Sequence, residues 1–491
     1  MLLASVVTGS PEQHIHKSAG QNNPQMKQSL AAIPEEQPNT LTAMPKQTVD
    51  NLIHAKWVIP VNPSNRILVN HAIAIKQGVI LDILDSTQAE KTYKSSKTYR
   101  LDSHALIPGL INAHGHASMT LFRGLADDLP LMSWLNNHIW PAERRWVSEE
   151  FVADGTELAI AEMLLSGTTC FSDMYFYPNV VAKMAHKHKI RAHIMMPILE
   201  FPSAWAENAE EYIHKGLTIH DDYRHHDLIN IGFGPHAPYT VSDESLERIR
   251  MLSDELDAFI HIHLHETSHE IEESIRQFGE RPLQRLHRLG LLSPRLQCVH
   301  MTQINDDDIQ LLKENGCHVV HCPESNLKLA SGFCPITQLN EAGINVALGT
   351  DGAASNNDLD MLGEAKTAAL LAKGVSQNAT SIPAHQALRM ATYNGAKALG
   401  LEASIGSLEP NKSADMIAID LSHLIDQPIY DPISHLIYNG CGQKVSHVWV
   451  KGKMLVDQGE LISIDIKTLQ FKVSQWRDKI RIAENQQSMS F

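Results

Sequence analysis

The sequence predicts an α/β protein: a (β/α)8 TIM barrel carrying a small β-sandwich domain made from both chain ends. Three observations predict it. Between about residues 104 and 403, eight short apolar segments alternate with helix-like stretches. β-rich segments broken by glycine turns flank that region on both sides. Five of the eight apolar segments carry a potential ligand or proton carrier at or next to their ends, where barrel active sites are built.

Residues 1–47 are rich in Gln, Asn, Pro, Ser and Lys, lack apolar periodicity, and read as a flexible arm. Their start, MLLASVVTGSPEQ, is mildly apolar without a basic opening, a weak match to a secretory leader. From Val49 onward, NLIHAKWVIPV and ILVNHAIAIKQGVILDIL are β-rich, with a hairpin signal at Gln77-Gly78. Near the other end ADMIAIDL and SHVWVKGKMLVDQGELI have the same character and turn at Lys451-Gly452. Residues 48–103 and 404–465 are therefore assigned to one small β domain, 104–403 to the barrel, and 466–491 to a C-terminal helical tail.

The barrel strand candidates are ALIPGLINAHGH, GTTCFSDMY, IRAHIMMPIL, LINIGFGPHAPY, FIHIHLHE, LQCVHMT, CHVVHCPES and INVALGTDG. Between them lie helical stretches such as SEEFVADGTELAIAEMLLS and SDESLERIRMLSDEL. The second opens at Ser242, with Ser245 three residues on, an acceptable helix start.

Composition narrows the function. A formal net charge of −15 repels nucleic acid and anionic membranes. No stretch reaches the roughly 18 consecutive apolar residues of a membrane helix. Cys170, Cys298, Cys317, Cys322, Cys334 and Cys441 form no C-x-x-C pair, which fits reduced thiols in a cytoplasmic enzyme. Cys317, Cys322 and Cys334 are close in sequence but match no familiar zinc spacing. The expected partners are a small-molecule substrate and further copies of the chain in a homo-oligomer, with neither nucleic acid nor membrane.

The chemistry gathers at the strand ends. The first candidate strand closes on His114-Gly115-His116, and alternate strand residues share a face, so the two imidazoles can meet one metal ion. In a chain with 28 histidines that pair alone is weak. The fifth strand adds FIHIHLHET. His261, His263 and His265 fall on one face, and both His263 and His265 stand where a strand end would reach the metal, with Glu266 next. The sixth strand ends on His300 and the eighth leads to Asp351 in LGTDGAASNN. Taken in barrel order, these residues supply the N/O ligands of a catalytic zinc with one position left open.

PGLINAHGH, HLHET, CVHMT and LGTDGAASNN resemble the amidohydrolase superfamily in its deaminase branch, over residues 50–465 or so. ASMTLFRGLADDLPLMSWLNNHIWPAE resembles the 5-methylthioadenosine/S-adenosylhomocysteine deaminases and their triazine-hydrolase relatives. The resemblance implies that His263 is the fifth-strand ligand and Glu266 the proton carrier of an H-x-x-E motif, with His261 and His265 in structural or supporting roles. Two-metal members carry a bridging lysine at the end of the fourth strand. INIGFGPHAPY has none, which implies one zinc ion per subunit (or another divalent metal such as iron) held by His114, His116, His263 and Asp351.

On that resemblance the metal activates a water, lowering its pKa from about 15.7 towards 7. Asp351 takes the water's proton as general base, and His300 stabilises the oxyanion-like species. Glu266 protonates N1 of a purine attacked at C6 and later the leaving ammonia. Glu143 in WPAE is implied to accept hydrogen bonds from ribose hydroxyls, and His236 in GPHAPY to reach the nucleoside. Trp134 in LMSWL packs on the base, lines a thioalkyl pocket, or is a plain core tryptophan. No arginine stands between Arg191 and Arg224 to hold a homocysteine carboxylate, which favours an apolar tail. The expected activity is zinc-dependent hydrolytic deamination of 5′-methylthioadenosine, with S-adenosylhomocysteine and adenosine as further candidates. The alternatives are a deaminase of a free base (guanine or cytosine), a triazine-type amidohydrolase, or, in another class, a non-catalytic barrel used as a binding module.

Overall fold

The computed structural model describes residues 46–63 and 65–488; almost all of the arm expected over 1–47 lies outside the described residues. Four strands come first: β1 (Gln47–Val58), β2 (Leu68–Lys76), β3 (Val79–Asp85) and β4 (Tyr93–Pro108). Eight short parallel strands follow: β5 (Leu110–Asn112), β6 (Thr168–Asp173), β7 (Arg191–Ile198), β8 (Ile229–Pro235), β9 (Ile260–Leu264), β10 (Leu296–His300), β11 (His318–His321) and β12 (Asn345–Leu348). The chain then returns through β13 (Met416–Asp420), β14 (Val445–Val450), β15 (Lys453–Asp457) and β16 (Glu460–Leu461).

The outer eight strands form one mixed sheet in the order β16-β15-β14-β13-β4-β1-β2-β3, so both chain ends build the small β domain. Its two hairpin signals are true two-residue turns. Gln77 and Gly78 have φ of 51° and 78°, and Lys451 and Gly452 have φ of 50° and 70°. Positive φ at both positions matches the right-handed twist of the flanking strands. Three strands separate β2 from β14 in the sheet. Even so, Ile73 and Ile75 share an apolar cluster with Met416 and Trp449. The sheet therefore rolls until its halves face each other about one core, as a sandwich does. The roll is pinned where Ile80 N donates to the Lys412 carbonyl and Ala414 N to the Gly78 carbonyl, both at 2.9 Å.

The inner eight strands lie in sequential order, β5 to β12, each beside the next, with helices between them. The first differs from its expected extent. Ala105–Pro108 complete β4 and pair with β13, and only Leu110–Asn112 enters the barrel. The chain changes sheets at Gly109, where a Cβ would lie 2.0 Å from Thr169 Oγ1, so only glycine fits. The barrel meets itself along a seam between its first and last strands. There Ala113 N donates to the Leu348 carbonyl at 2.9 Å and Asp351 N to the His114 carbonyl at 3.1 Å. Ser148 and Ser242 cap the helices Glu149–Leu165 and Asp243–Leu256, accepting from Phe151 N and Ser245 N. The short helix Tyr393–Ala398 packs at the barrel floor, where Ala398 joins a cluster with Ala113, Val299 and Val320. The C-terminal helix Ile466–Ser488 docks on helix Glu149–Leu165: Trp476 Nε1 donates to Asp154 Oδ2 at 3.0 Å and its ring meets Phe151 edge to face. Among the described residues no helix is long and apolar enough to cross a membrane.

Candidate active site

Both ends of the seam carry chemistry. His114 and His116 stand just past β5, and Asp351 just past β12. Asn112 ties the two segments together: its Oδ1 accepts from Thr350 N at 3.1 Å and its Nδ2 donates to Thr350 Oγ1 at 2.7 Å. The approach is close enough that a Cβ on Gly349 would sit 2.7 Å from that of His114. His263 comes from β9. One donor atom from each of His114, His116, His263 and Asp351 lies within 4.8 Å of all the others. Among the described residues this is the one such cluster, and it contains none of the six cysteines, all of them buried and unbonded.

Each imidazole is aimed. His116 Nδ1 lies 2.7 Å from the Met174 carbonyl, and His263 Nδ1 lies 2.7 Å from the His236 carbonyl. A carbonyl only accepts, so both rings carry a proton on Nδ1 and turn Nε2 to the centre. His114 Nδ1 lies 2.7 Å from His261 Nε2, and His114 Nε2 is buried with no hydrogen-bond partner. Asp351 Oδ1 lies 3.3 Å from that nitrogen and 3.2 Å from His116 Nε2. Its other oxygen accepts from the hydroxyls of Ser325 and Ser355, both at 2.7 Å. Burial holds His114 and His263 well below the usual imidazole range, which keeps them neutral as ligands must be. At His116 burial is outweighed by the Asp351 carboxylate, which lifts the ring to about 9. The cluster thus draws positive charge, and an orphaned buried nitrogen, two more aimed imidazoles and a carboxylate fit a divalent cation such as zinc.

Glu266 and His300 stand beside the cluster through two backbone reversals. His265 has φ of 53°, which ends the strand's alternation and brings Glu266 to the cavity in its place. His265 is thereby turned away from the metal position that its spacing allowed, and its Nε2 accepts from Leu283 N at 3.0 Å. His300 and Met301 both have positive φ, 74° and 49°, at the end of β10. Bulky residues persist in that region only where their surroundings hold them, a recurring feature of functional sites. The His300 ring stacks on His263 at 5.5 Å, its Nδ1 lies 2.9 Å from Asn326 Oδ1, and its Nε2 lies 3.9 Å from Glu266 Oε2. Ser331 Oγ donates to Glu266 Oε1 at 3.3 Å. Burial raises the Glu266 carboxyl above its ordinary range, and the neighbouring His300 only partly offsets this.

These groups floor a cavity of about 750 Å³. Glu143 stands on its wall, on the short helix Trp140–Trp146, and accepts from the Tyr175 hydroxyl at 2.8 Å. A π turn over Leu135–Ile139 precedes that helix; Pro141 has no N–H to continue a regular ladder through it. Burial pushes Glu143 up to about 7 against the pull of the Tyr175 hydrogen bond. His236 follows β8, lines the cavity, and is lowered to about 4 by burial. Trp134 is buried and lines the same cavity, together with Leu135, Ile139, Phe176, Leu199 and Phe201. Every expected site residue except His114 lines this cavity, and His114 stands behind it in the four-donor cluster. Sequence reasoning missed Tyr175, Ser325, Asn326, Ser331 and Ser355, which orient the charged groups, and Arg144, which lines the cavity beside Glu143. Of these, Tyr175 and Ser325, the last residues of the segments GTTCFSDMY and CHVVHCPES, stood where a strand-end search would find them.

Fold and site define a metal-dependent hydrolase of the amidohydrolase type. The sequence pattern of the "Amidohydrolase family" matches residues 105–455. A 5-methylthioadenosine/S-adenosylhomocysteine deaminase of Saccharophagus degradans is 55% identical over 436 residues, 89% of this chain and 98% of the relative. An adenosine deaminase of Xanthomonas campestris, solved with bound zinc, superposes with a TM-score of 0.88 at 50% identity, over 89% of this chain and 100% of the other. The atrazine chlorohydrolase of Arthrobacter aurescens shares the fold, with a TM-score of 0.82 at 23% identity over 87% of this chain and all of that one. The chain belongs to the amidohydrolase family, among the 5-methylthioadenosine/S-adenosylhomocysteine deaminases.

Proposed function

We propose that the protein is a zinc-dependent aminohydrolase that converts 5′-methylthioadenosine to its inosine analogue and ammonia. One observation carries this: a single cavity has the four-donor cluster with Glu266 and His300 at its floor and a fixed carboxylate, Glu143, on its wall. The floor suits an adenine ring attacked at C6, and the wall suits two vicinal ribose hydroxyls. The deaminase relatives support the reaction, and the zinc bound in the Xanthomonas campestris structure supports the metal. One zinc ion per subunit is proposed, held by His114, His116, His263 and Asp351; β8 ends at Pro235 and His236 with no lysine to bridge a second ion.

The cation supplies Lewis acidity that brings the pKa of a water from about 15.7 towards 7. Asp351 takes the proton of the attacking water as general base, while Ser325 and Ser355 keep its second oxygen engaged. Glu266, its carboxyl raised by burial, gives a proton to N1 as C6 becomes tetrahedral and later serves the departing ammonia. His300, its Nδ1 donating to Asn326 Oδ1, turns Nε2 as an acceptor to the hydrogen of the attacking water and holds that water in position. Glu143 accepts from the ribose hydroxyls with the oxygen that Tyr175 leaves free. His236 reaches the nucleoside, and Trp134 with the apolar wall takes the methylthio group.

Arg144 supports a second substrate. Its side chain lines the cavity next to Glu143, a cation available to the homocysteine carboxylate of S-adenosylhomocysteine. The six buried free thiols support a reducing, cytoplasmic setting.

The test is ammonia release by zinc-loaded protein offered 5′-methylthioadenosine, S-adenosylhomocysteine, adenosine and guanine in parallel. Turnover of the nucleosides, led by methylthioadenosine, is the expected result. Turnover of guanine alone would replace this reading with the free-base one.

A further inference from the structure

We propose that Gln297, at the floor of the barrel, is a positioning residue for the metal site: through His261 it fixes the tautomer of His114 so that Nε2 faces the cation. The inference rests on the proposed ligand role of His114 and deepens it.

The argument is donor accounting along three contacts. Gln297 Nε2 lies 2.8 Å from the carbonyl of Ala398, the last residue of the floor helix Tyr393–Ala398. A carbonyl can only accept, so the NH2 end of the amide is there and its orientation is set. The amide oxygen then lies 2.6 Å from His261 Nδ1. An amide oxygen also only accepts, so His261 carries its proton on Nδ1 and leaves Nε2 bare. That bare nitrogen is 2.7 Å from His114 Nδ1, which must donate to it. A neutral His114 protonated on Nδ1 has its lone pair on Nε2, the atom that faces Asp351 Oδ1 in the four-donor cluster. Each step has one solution for neutral rings.

The chain is sealed. His114, His261 and Gln297 each have 0% exposure, so bulk water cannot stand in for any of them. It is also built into the sheet, because His261 and Gln297 are cross-strand neighbours of β9 and β10. The terminal acceptor is an end-of-helix carbonyl, one of those a helix leaves without an internal partner. Without an acceptor at position 297, His261 is free to take the other tautomer. His114 then meets an N–H, keeps Nδ1 bare, and places its own proton on Nε2, where it blocks metal binding.

The experiment compares Gln297→Met with Gln297→Glu. Methionine keeps the length and accepts no hydrogen bond from His261. Glutamate keeps the acceptor and, when protonated, the donor to Ala398 as well. Zinc affinity is read by chelator competition, with the melting temperature of the metal-free proteins as a folding control. Gln297→Met is expected to bind zinc about 10- to 100-fold more weakly, the usual effect of losing such a supporting contact, and Gln297→Glu to stay close to the unsubstituted protein. Equal affinities for Gln297→Met and the unsubstituted protein, or equal losses in both variants, would overturn the proposal. Nitrogen NMR of 15N-histidine-labelled, unsubstituted protein gives an answer that no variant's folding can obscure: His261 protonated on Nδ1 supports it, and His261 protonated on Nε2 refutes it. An unsubstituted protein that binds no zinc would instead refute the metal reading itself.

Discussion

Asp351 and His114 are joined twice, by a backbone hydrogen bond of 3.1 Å across the barrel seam and by side chains whose nearest polar atoms are 3.3 Å apart. The seam between first and last strands is thus also where the metal cluster is assembled. Closing the barrel and bringing these two ligands together are one event.

Asn112 is the clasp of that seam, and its loss should be felt in both stability and metal. Asn112→Ala leaves the buried Thr350 N–H without its acceptor, which costs about 1–3 kcal/mol. Chemical denaturation should show that loss, and the purified variant should carry less zinc than the unsubstituted protein.

Glu266 is given a chemical role with no metal contact. Glu266→Gln should retain zinc and lose turnover by about 10²- to 10⁴-fold. Metal analysis beside steady-state kinetics checks this; near-normal turnover in a zinc-replete variant would remove Glu266 from the mechanism.

Tyr175 holds the carboxylate assigned to the ribose. Tyr175→Phe removes one hydrogen bond to Glu143, worth about 1.5–3 kcal/mol for a charged acceptor. KM for 5′-methylthioadenosine should rise about tenfold or more with a smaller change in kcat, since the contact serves binding in ground and transition states alike.

The same carboxylate sets a pH limb. Glu143 accepts from hydroxyls when ionised, and burial has raised it to about 7 in the free protein. Raising the pH through 7 increases the ionised fraction, so kcat/KM should climb and then level. Glu266 must be protonated to act, so ionisation of its raised carboxyl contributes the falling limb of the profile. Glu143→Gln should flatten the acid limb and leave the alkaline one; an unchanged acid limb would assign it to another group.

Much of this was legible in the sequence for physical reasons. Apolar runs of strand length, Gln77-Gly78 and Lys451-Gly452 turns, and the serine cap at Ser242 each act locally, so the residues announce the structure. The four residues of the donor cluster were legible because barrel chemistry sits at strand ends. The period-two rule failed at His265, where one positive φ exchanged the faces of His265 and Glu266, and the pair that the family resemblance implied, His263 and Glu266, is the one that lines the cavity. It failed again at Gly109, where a close approach to Thr169, far off in sequence, decides which sheet Ala105–Pro108 joins. Ser331 and Asn326 were invisible because their partners lie 65 and 26 residues away and no spacing encodes them.

The central claim is metal-dependent deamination of an adenine nucleoside, and the direct measurement is ammonia release from 5′-methylthioadenosine by one preparation before metal removal, after chelation, and after zinc is restored. The account requires turnover that vanishes on chelation and returns with about one equivalent of zinc per chain. Undiminished ammonia release from demonstrably metal-free protein would contradict it.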